Sequence, residues 1–168
     1  MLKKNKTDVS PLWTSISPLL TVDADVLAQI HAECFRDAWN VESFSSLLYK
    51  SSYFGFLLKS SGKPMGFILC NSLVDEIEII TLGVLKIFRN RGCGKYLLKN
   101  VISCAEQGDS KKIFLEVSEN NVHGISLYES MGFQKIARRK GYYQNCEQSG
   151  NTGNTSDALI MIYPHVQM

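Results

Sequence analysis

The chain has 168 residues, which fits one domain of ordinary size and is short for two well-cored ones. Hydrophobic residues make up 45% and charged residues 20%, proportions that exclude wholesale disorder. Lys+Arg at 18 against Asp+Glu at 16 gives a net charge of +2, too balanced for a protein that coats nucleic acid, so no direct nucleic-acid partner is expected.

No apolar run approaches the ~20 residues that span a bilayer, so no membrane partner is expected. The basic start Met1-Leu-Lys-Lys has no apolar run behind it, which predicts no secretory leader. The five cysteines, Cys34, Cys70, Cys93, Cys104 and Cys146, are odd in number and scattered, without a Cys-x-x-Cys pair. They predict free thiols in a reducing, cytoplasmic setting and no cysteine zinc site. His31, His123 and His165 lie far apart without ligand spacing, so no metal is expected.

Residues 1–10 are polar and read as a mobile N-terminus, with a single domain over 11–168. A short strand is predicted over 12–16. Thr21-Val-Asp-Ala-Asp caps and starts a helix running through Leu27, Ile30 and Phe35. A second helix begins after Asn40, an N-cap residue type, and contains Phe44, Leu47 and Leu48. Residues 53–59 are an aromatic-rich strand. Ser60-Ser-Gly62-Lys is a hairpin turn, followed by strands over 65–74 and 77–84. In the next helix Leu97, Leu98, Val101, Ile102 and Ala105 form an apolar stripe, ended at Gly108-Asp109. A strand over 112–117, a helix over 122–131 closed by Gly132, and strands over 134–143 and 158–163 complete the chain. The linking segment, 144–157, is long for a hairpin and reads either as disordered filler or as a substrate-facing flap. This order predicts a mixed α/β sheet in one layer with helices on its faces.

One loop carries chemistry. Arg89-Asn-Arg-Gly92-Cys-Gly94-Lys95 joins a strand to a helix. The first N–H groups of a helix lack intrahelical partners, and glycines let an anion approach the backbone. Arg89, Arg91 and Lys95 add positive charge, so the loop suits a pyrophosphate; a solvated basic helix start explains the same residues. It matches neither a P-loop, which has four residues between its glycines, nor a dinucleotide fingerprint with its third glycine.

The run Arg89-x-x-Gly92-x-Gly94, preceded by Ile79-Ile-Thr-Leu-Gly-Val84, resembles the acyl-CoA-binding motif of the GCN5-related N-acetyltransferases (the GNAT superfamily). Within it, Leu115-Glu-Val-Ser-Glu-Asn-Asn121, Leu127-Tyr-Glu-Ser-Met-Gly-Phe133, Arg138-Arg-Lys-Gly-Tyr-Tyr143, Asp157-Ala-Leu-Ile-Met161 and Cys34-Phe-Arg-Asp-Ala-Trp39 are similar to the bacterial ribosomal-protein alanine N-acetyltransferases. The resemblance spans residues 22–162. It implies a GNAT-type fold with mostly antiparallel N-terminal strands and helices on both faces. It also implies acetyl-CoA as cosubstrate, and as partner the N-terminus of a protein, in this subfamily a ribosomal one.

By position, it implies that the backbone of Leu82, Gly83 and Val84 holds the acetyl and pantetheine part. Arg89 supplies charge, and Asn90, Arg91, Gly92, Cys93, Gly94 and Lys95 wrap the pyrophosphate. Asn121 contacts the pantetheine arm, Glu116 is the general base and Tyr128 the general acid. Three departures stand out: Ser118 where many members carry arginine, Cys93 where an aliphatic residue is usual, and a 144–157 segment rich in glycine and asparagine.

The residues themselves leave alternatives open. Strand alternation sets Phe114 and Glu116 opposite Ile113, Leu115 and Val117, so Glu116 is a catalytic carboxylate or a rim glutamate that meets water. Tyr128 is a proton donor or a core tyrosine. Trp39 lines the acceptor site or the core. Cys93 is a tolerated small residue or a helix-start thiol of lowered pKa. The 138–143 segment contacts an acidic ribosomal surface or RNA, or is a solvated strand end. The acceptor is an N-terminal amine, or a lysine or small amine. A non-catalytic CoA-responsive or ribosome-associated binding module is the reading from another class.

Overall fold

The computed structural model describes residues 15–108, 110, 112–144 and 155–164. They form one seven-stranded sheet in the order β1-β2-β3-β4-β5-β7-β6. The strands are β1 (Ser15–Pro18), β2 (Tyr53–Ser60), β3 (Lys63–Ser72), β4 (Glu76–Val84), β5 (Lys112–Ser118), β6 (Gln134–Gln144) and β7 (Thr155–Pro164). The helices are α1 (Ala24–Cys34), α2 (Val41–Leu48), α3 (Cys93–Gln107) and α4 (Val122–Ser130). β4 and β5 pair in parallel, joined by α3, and every other neighbouring pair is antiparallel. No helix among the described residues is long and apolar enough to cross a membrane.

Several boundaries follow the local signals. Asn40 caps α2, its Oδ1 accepting the Ser43 N–H at 2.9 Å. Ser61 and Gly62, at φ 46° and 77°, make the tight turn between β2 and β3. Gly132, at φ 94°, follows the end of α4.

Other boundaries differ from expectation. The first strand is Ser15–Pro18 rather than 12–16, of which 12–14 lie outside the described residues; its register is set by pairing with β2. The first helix is preceded by a 3-10 turn, Thr21–Asp23, and starts at Ala24. Asp23 holds the N-cap position of α1 without a side-chain cap bond, and its carboxylate reaches back across the 3-10 turn to accept the Leu20 N–H at 2.8 Å. β3 occupies Lys63–Ser72 instead of 65–74, because the turn is only two residues long. β7 begins at Thr155, so Ser156 and Asp157 belong to a strand and not to the long connection. Residues 145–154 lie outside the described set.

The sheet has a core on each face. α3 and α4 cover one face, burying Leu97, Leu98, Val101, Ile125 and Tyr128 against Ile68, Ile79, Ile113, Leu115 and Met161. α1 and α2 cover the other, where Leu27, Ile30 and Phe44 meet Leu57, Phe67 and Leu69. A bulge in β4 governs which residues face which core. Leu69 pairs with Thr81 and Cys70 with Ile79, which leaves Ile80 unpaired with β3. Before it, Ile77 and Ile79 face α3; beyond it, Leu82 and Val84 do.

Candidate active site

Pairing between β4 and β5 runs from Glu76↔Lys112 to Ile79↔Leu115 and stops there. β5 continues to Ser118 against β7, and β4 continues to Val84 against β3. The two strands therefore diverge from the Ile80 bulge onward, opening a wedge in the sheet. A bulge bends its strand and strengthens its twist, and this one sits where the pairing ends. Along the wedge, β4 offers the backbone of Leu82, Gly83 and Val84 without a strand partner on the β5 side.

Beyond β4 lie a 3-10 turn, Lys86–Phe88, and the loop into α3. Asn90 has φ 58° and Gly92 has φ 86°, both left-handed. Left-handed residues in a turn can angle successive N–H groups to one side, a concavity that suits an anion. Gly92 is the N-cap of α3 and provides no side chain to its N–H groups. Arg91 and Lys95 are exposed beside it. Arg89 is anchored back on the strand, its Nε–H donating to the Val84 carbonyl at 2.9 Å.

The two glycines do different work. Gly92 supplies the positive φ. A Cβ on Gly94 would come within 2.9 Å of Leu127 Cδ2, so that glycine lets α3 approach α4. Cys93 points into the core at 1% exposure, and burial pushes its thiol pKa up. Only its backbone faces the loop, so the helix start does not make it a reactive thiolate.

Glu116 stands on the face opposite Ile113, Leu115 and Val117, which are buried against α3 and α4. Its carboxylate pairs with the Arg139 guanidinium at 3.0 Å. A second carboxylate, Glu78, lies near it on β4. Its pKa is raised by burial and then by the charge of Glu116. Sequence alone missed Glu78: only the parallel register, which aligns Glu78 with Phe114, brings two carboxylates of separate strands near each other.

Tyr128 comes from the other side. It is 9% exposed in the core under α4, edge-on to Phe133 at 5.7 Å. Glu116 and Tyr128 thus belong to opposite faces of the sheet and can act on one molecule only through the β4–β5 wedge. Asn121 caps α4, its Oδ1 accepting the Gly124 N–H at 2.9 Å, which fixes its amide near the end of β5. Ser118 bridges to Ser156 (3.3 Å between hydroxyls) and also accepts the Asn120 N–H. The serine thus braces the β5–β7 junction.

The β6 hairpin reaches the site through charge. Arg138 pairs with Glu119 and, at 2.7 Å, with Asp157. Asp157 also accepts the Gly141 N–H at 2.8 Å. Arg138 and Arg139 thus both pair within the chain while their side chains stay more than half exposed. The segment after α1 closes the opposite side. Cys34 Sγ–H donates to the Val84 carbonyl at 3.4 Å, and the Phe35 ring lies 3.5 Å from where a Gly83 Cβ would stand. Half-buried Trp39 packs on Phe44. No group of His, Cys, Asp and Glu among the described residues could hold a metal ion.

This geometry has known counterparts. The model of the acetyltransferase (GNAT) family matches residues 24–133. The chain is 29% identical over 150 residues to the [ribosomal protein bS18]-alanine N-acetyltransferase of Escherichia coli, covering 89% of this chain and 97% of that one. It is also 29% identical to the N-alpha-acetyltransferase RimI of Mycobacterium tuberculosis, covering 82% and 87%. The crystal structure of the ribosomal-protein-S18-alanine N-acetyltransferase from Escherichia coli superposes with TM-score 0.83 at 28% identity, covering 92% and 95%. With the strand divergence and the left-handed loop at α3, these matches establish that the chain belongs to the acetyltransferase (GNAT) family and is an acetyl-CoA-dependent N-acetyltransferase.

Proposed function

We propose that the protein transfers acetyl from acetyl-CoA to the N-terminal α-amine of a ribosomal protein, by direct attack in a ternary complex, and that it does so in the cytoplasm. The observation that carries this reading is the β4–β5 wedge, with a carboxylate on one face and a phenol on the other. The similarity to two N-terminal acetyltransferases over more than four-fifths of the chain supports the choice of acceptor.

The residues fit the cosubstrate: the left-handed positions and uncapped N–H groups at α3 form an anion cradle that no side chain completes. Asn90, Arg91, Gly92, Cys93, Gly94 and Lys95 would hold the pyrophosphate, with Cys93 and Gly94 acting through their backbone. Leu82, Gly83 and Val84 would hold the acetyl and pantetheine end through their backbone, and Asn121 would touch the pantetheine arm. Arg89, tied to Val84, would join the two segments. The cosubstrate supplies an activated acetyl thioester.

Glu116 takes the proton that the acceptor's ammonium must lose, because only the free amine has a lone pair. The new N–C bond forms as the C–S bond breaks. Tyr128 gives its phenolic proton to the departing sulfur. Backbone N–H groups at the end of β4 steady the carbonyl oxygen as it gains charge, a contribution of about 3–4 kcal/mol where such donors have been removed. Holding both reactants in the wedge supplies the orientation, and no covalent enzyme intermediate is needed. Residues 35–39 form the acceptor side, since they cover the end of β4 opposite α3.

The test is to incubate the protein with acetyl-CoA and peptides copying ribosomal N-termini, then locate the acetyl group by mass spectrometry. Acetyl on the terminal nitrogen is expected. Acetyl on lysine side chains alone, or no transfer, would refute the acceptor assignment. Acetyl on an enzyme cysteine after acetyl-CoA alone would refute direct attack.

A further inference from the structure

We propose that His31 is the positioning residue of the acceptor-side loop, a buried neutral imidazole that fixes residues 35–39 over the end of β4 and so sets how tightly the acceptor binds. The inference rests on the reading of that loop as the acceptor side of the wedge.

His31 lies in the last turn of α1 and is 4% exposed. A polar ring so buried needs a partner, and Nδ1 has one: it accepts the Trp39 backbone N–H at 3.1 Å. A nitrogen that accepts carries no proton, so the ring is neutral. The ring also stacks on Phe35 (4.2 Å between centroids, 24° between planes) and on Trp39 (5.2 Å, 19°). It meets the edge of Phe44 at 5.5 Å and approaches Phe67 of β3 at 6.4 Å. One side chain therefore holds both aromatic residues of the loop and seats them on the sheet.

Between those residues, Arg36, Asp37 and Ala38 are exposed. Phe35 extends the connection to Gly83, in the backbone that faces the wedge. A loop ordered before binding spares its ligand the entropy of ordering it, so the effect belongs to acceptor affinity. The anion cradle at α3 is formed by other residues and does not depend on the imidazole.

The same contact is sensitive to acid. A proton on Nδ1 would replace the acceptor by a donor facing the Trp39 N–H. Burial alone lowers the His31 pKa below its ordinary 6.5. The rings against it, from the loop, α2 and β3, are Phe35, Trp39, Phe44 and Phe67, none of which titrates. Of the ionisable groups in the same stretch, Glu33, Arg36 and Asp37 are exposed, and half-buried Cys34 has its thiol pKa pushed up by burial. Acceptor binding should therefore weaken as pH falls below ~6.5.

His31→Phe keeps a ring and removes the acceptor nitrogen, whereas His31→Gln keeps an acceptor oxygen. Near neutral pH the phenylalanine variant should raise the acceptor KM about 5–10-fold, the range expected for one lost hydrogen bond. The glutamine variant should fall nearer wild type, with kcat and acetyl-CoA affinity unchanged in both. The ratio of the Phe-variant KM to the wild-type KM should shrink in acid, because the wild type then loses the contact too. The acceptor's own titration cancels in that ratio. A second readout is Trp39 fluorescence in a Trp13→Phe background: acid should quench it with His31 present and not in His31→Phe. An unchanged acceptor KM, a joint fall of kcat and acetyl-CoA affinity in both variants, or quenching indifferent to His31 would overturn the assignment. If the wild type acetylates lysines instead, the N-terminal reading fails, and the same KM split is measured on that acceptor.

Discussion

Glu116→Gln separates catalysis from stability. A positioned general base contributes about 10²–10⁴-fold, or roughly 3–5 kcal/mol of barrier. The ion pair lost with it is modest. Glu116 and Arg139 are 3.0 Å apart, with side chains 21% and 52% exposed, so solvent screens them. Such pairs contribute ~0.2–1 kcal/mol, and a glutamine oxygen can still accept from Arg139. For a chain of this size that shifts Tm by at most about 4 °C. The variant should therefore lose at least ~100-fold in kcat with saturating acetyl-CoA and peptide, with acetyl-CoA affinity by calorimetry unchanged. The deficit should narrow at high pH. An α-amine of pKa ~7.8 is about 5% free at pH 6.5 and over ~90% free at pH 9, so up to ~20-fold of the loss is recoverable without a base. A kcat within twofold of wild type near pH 7, or a deficit that does not change with pH, would refute the base assignment.

Gly92→Ala places a Cβ at φ 86°, at a cost of about 1–2 kcal/mol, and should weaken acetyl-CoA binding by disturbing the loop itself. Gly94→Ala leaves the loop conformation accessible but presses on Leu127, so it should lower Tm by displacing α4; calorimetry and thermal melts on both variants separate the two effects. Asn121→Ala removes the α4 cap and should cost about 0.5–2 kcal/mol in denaturant unfolding. For Glu78 the folded pKa is raised above the ordinary 4.5, so the fold holds that proton more tightly than the unfolded chain does. The resulting stability is present below 4.5 and lost as pH rises through the folded value. Glu78→Gln should therefore melt above wild type at pH 7 and level with it at pH 4; equal differences at both would contradict the raised pKa.

Features set by neighbours in sequence were legible, and features set by partners across the sheet were not. Asn40, Gly62 and Gly132 act within a few residues of themselves, and each lies where local chemistry puts it. The apolar stripe of α3 and the alternation that turns Glu116 away from the core are likewise local patterns. The start of β7 depends instead on pairing with β6, and Thr155-Ser-Asp157 carries no strand signal of its own. Arg139 meets Glu116 from a strand that neighbours β7, not β5. Between Arg139↔Ala158 and Tyr143↔Ser156, β6 takes two more residues than β7, an irregularity that no propensity announces. Gly94 has a further role that only the packing shows: its missing Cβ accommodates Leu127 of α4. His31, read at first only as a histidine without ligand spacing, matters through rings that are distant in sequence.

The Ile80 bulge gives the sharpest test of how the fold makes the site. It ends β4–β5 pairing and also changes which residues face α3, so one extra residue both opens the wedge and decides what lines it. Deleting Ile80 leaves both faces as they are: Ile79 keeps the α3 side, Thr81 follows it on the α1 side, and Leu82 and Val84 still face α3. What changes is the bend, so the strand straightens and its freed edge can pair with β5 up to Ser118, closing the wedge. The expected outcome is a chain that keeps its sheet by circular dichroism and that no longer binds acetyl-CoA. Wild-type affinity after the deletion would mean that the divergence of the strands is set elsewhere, by the packing of α3 and α4 rather than by the bulge.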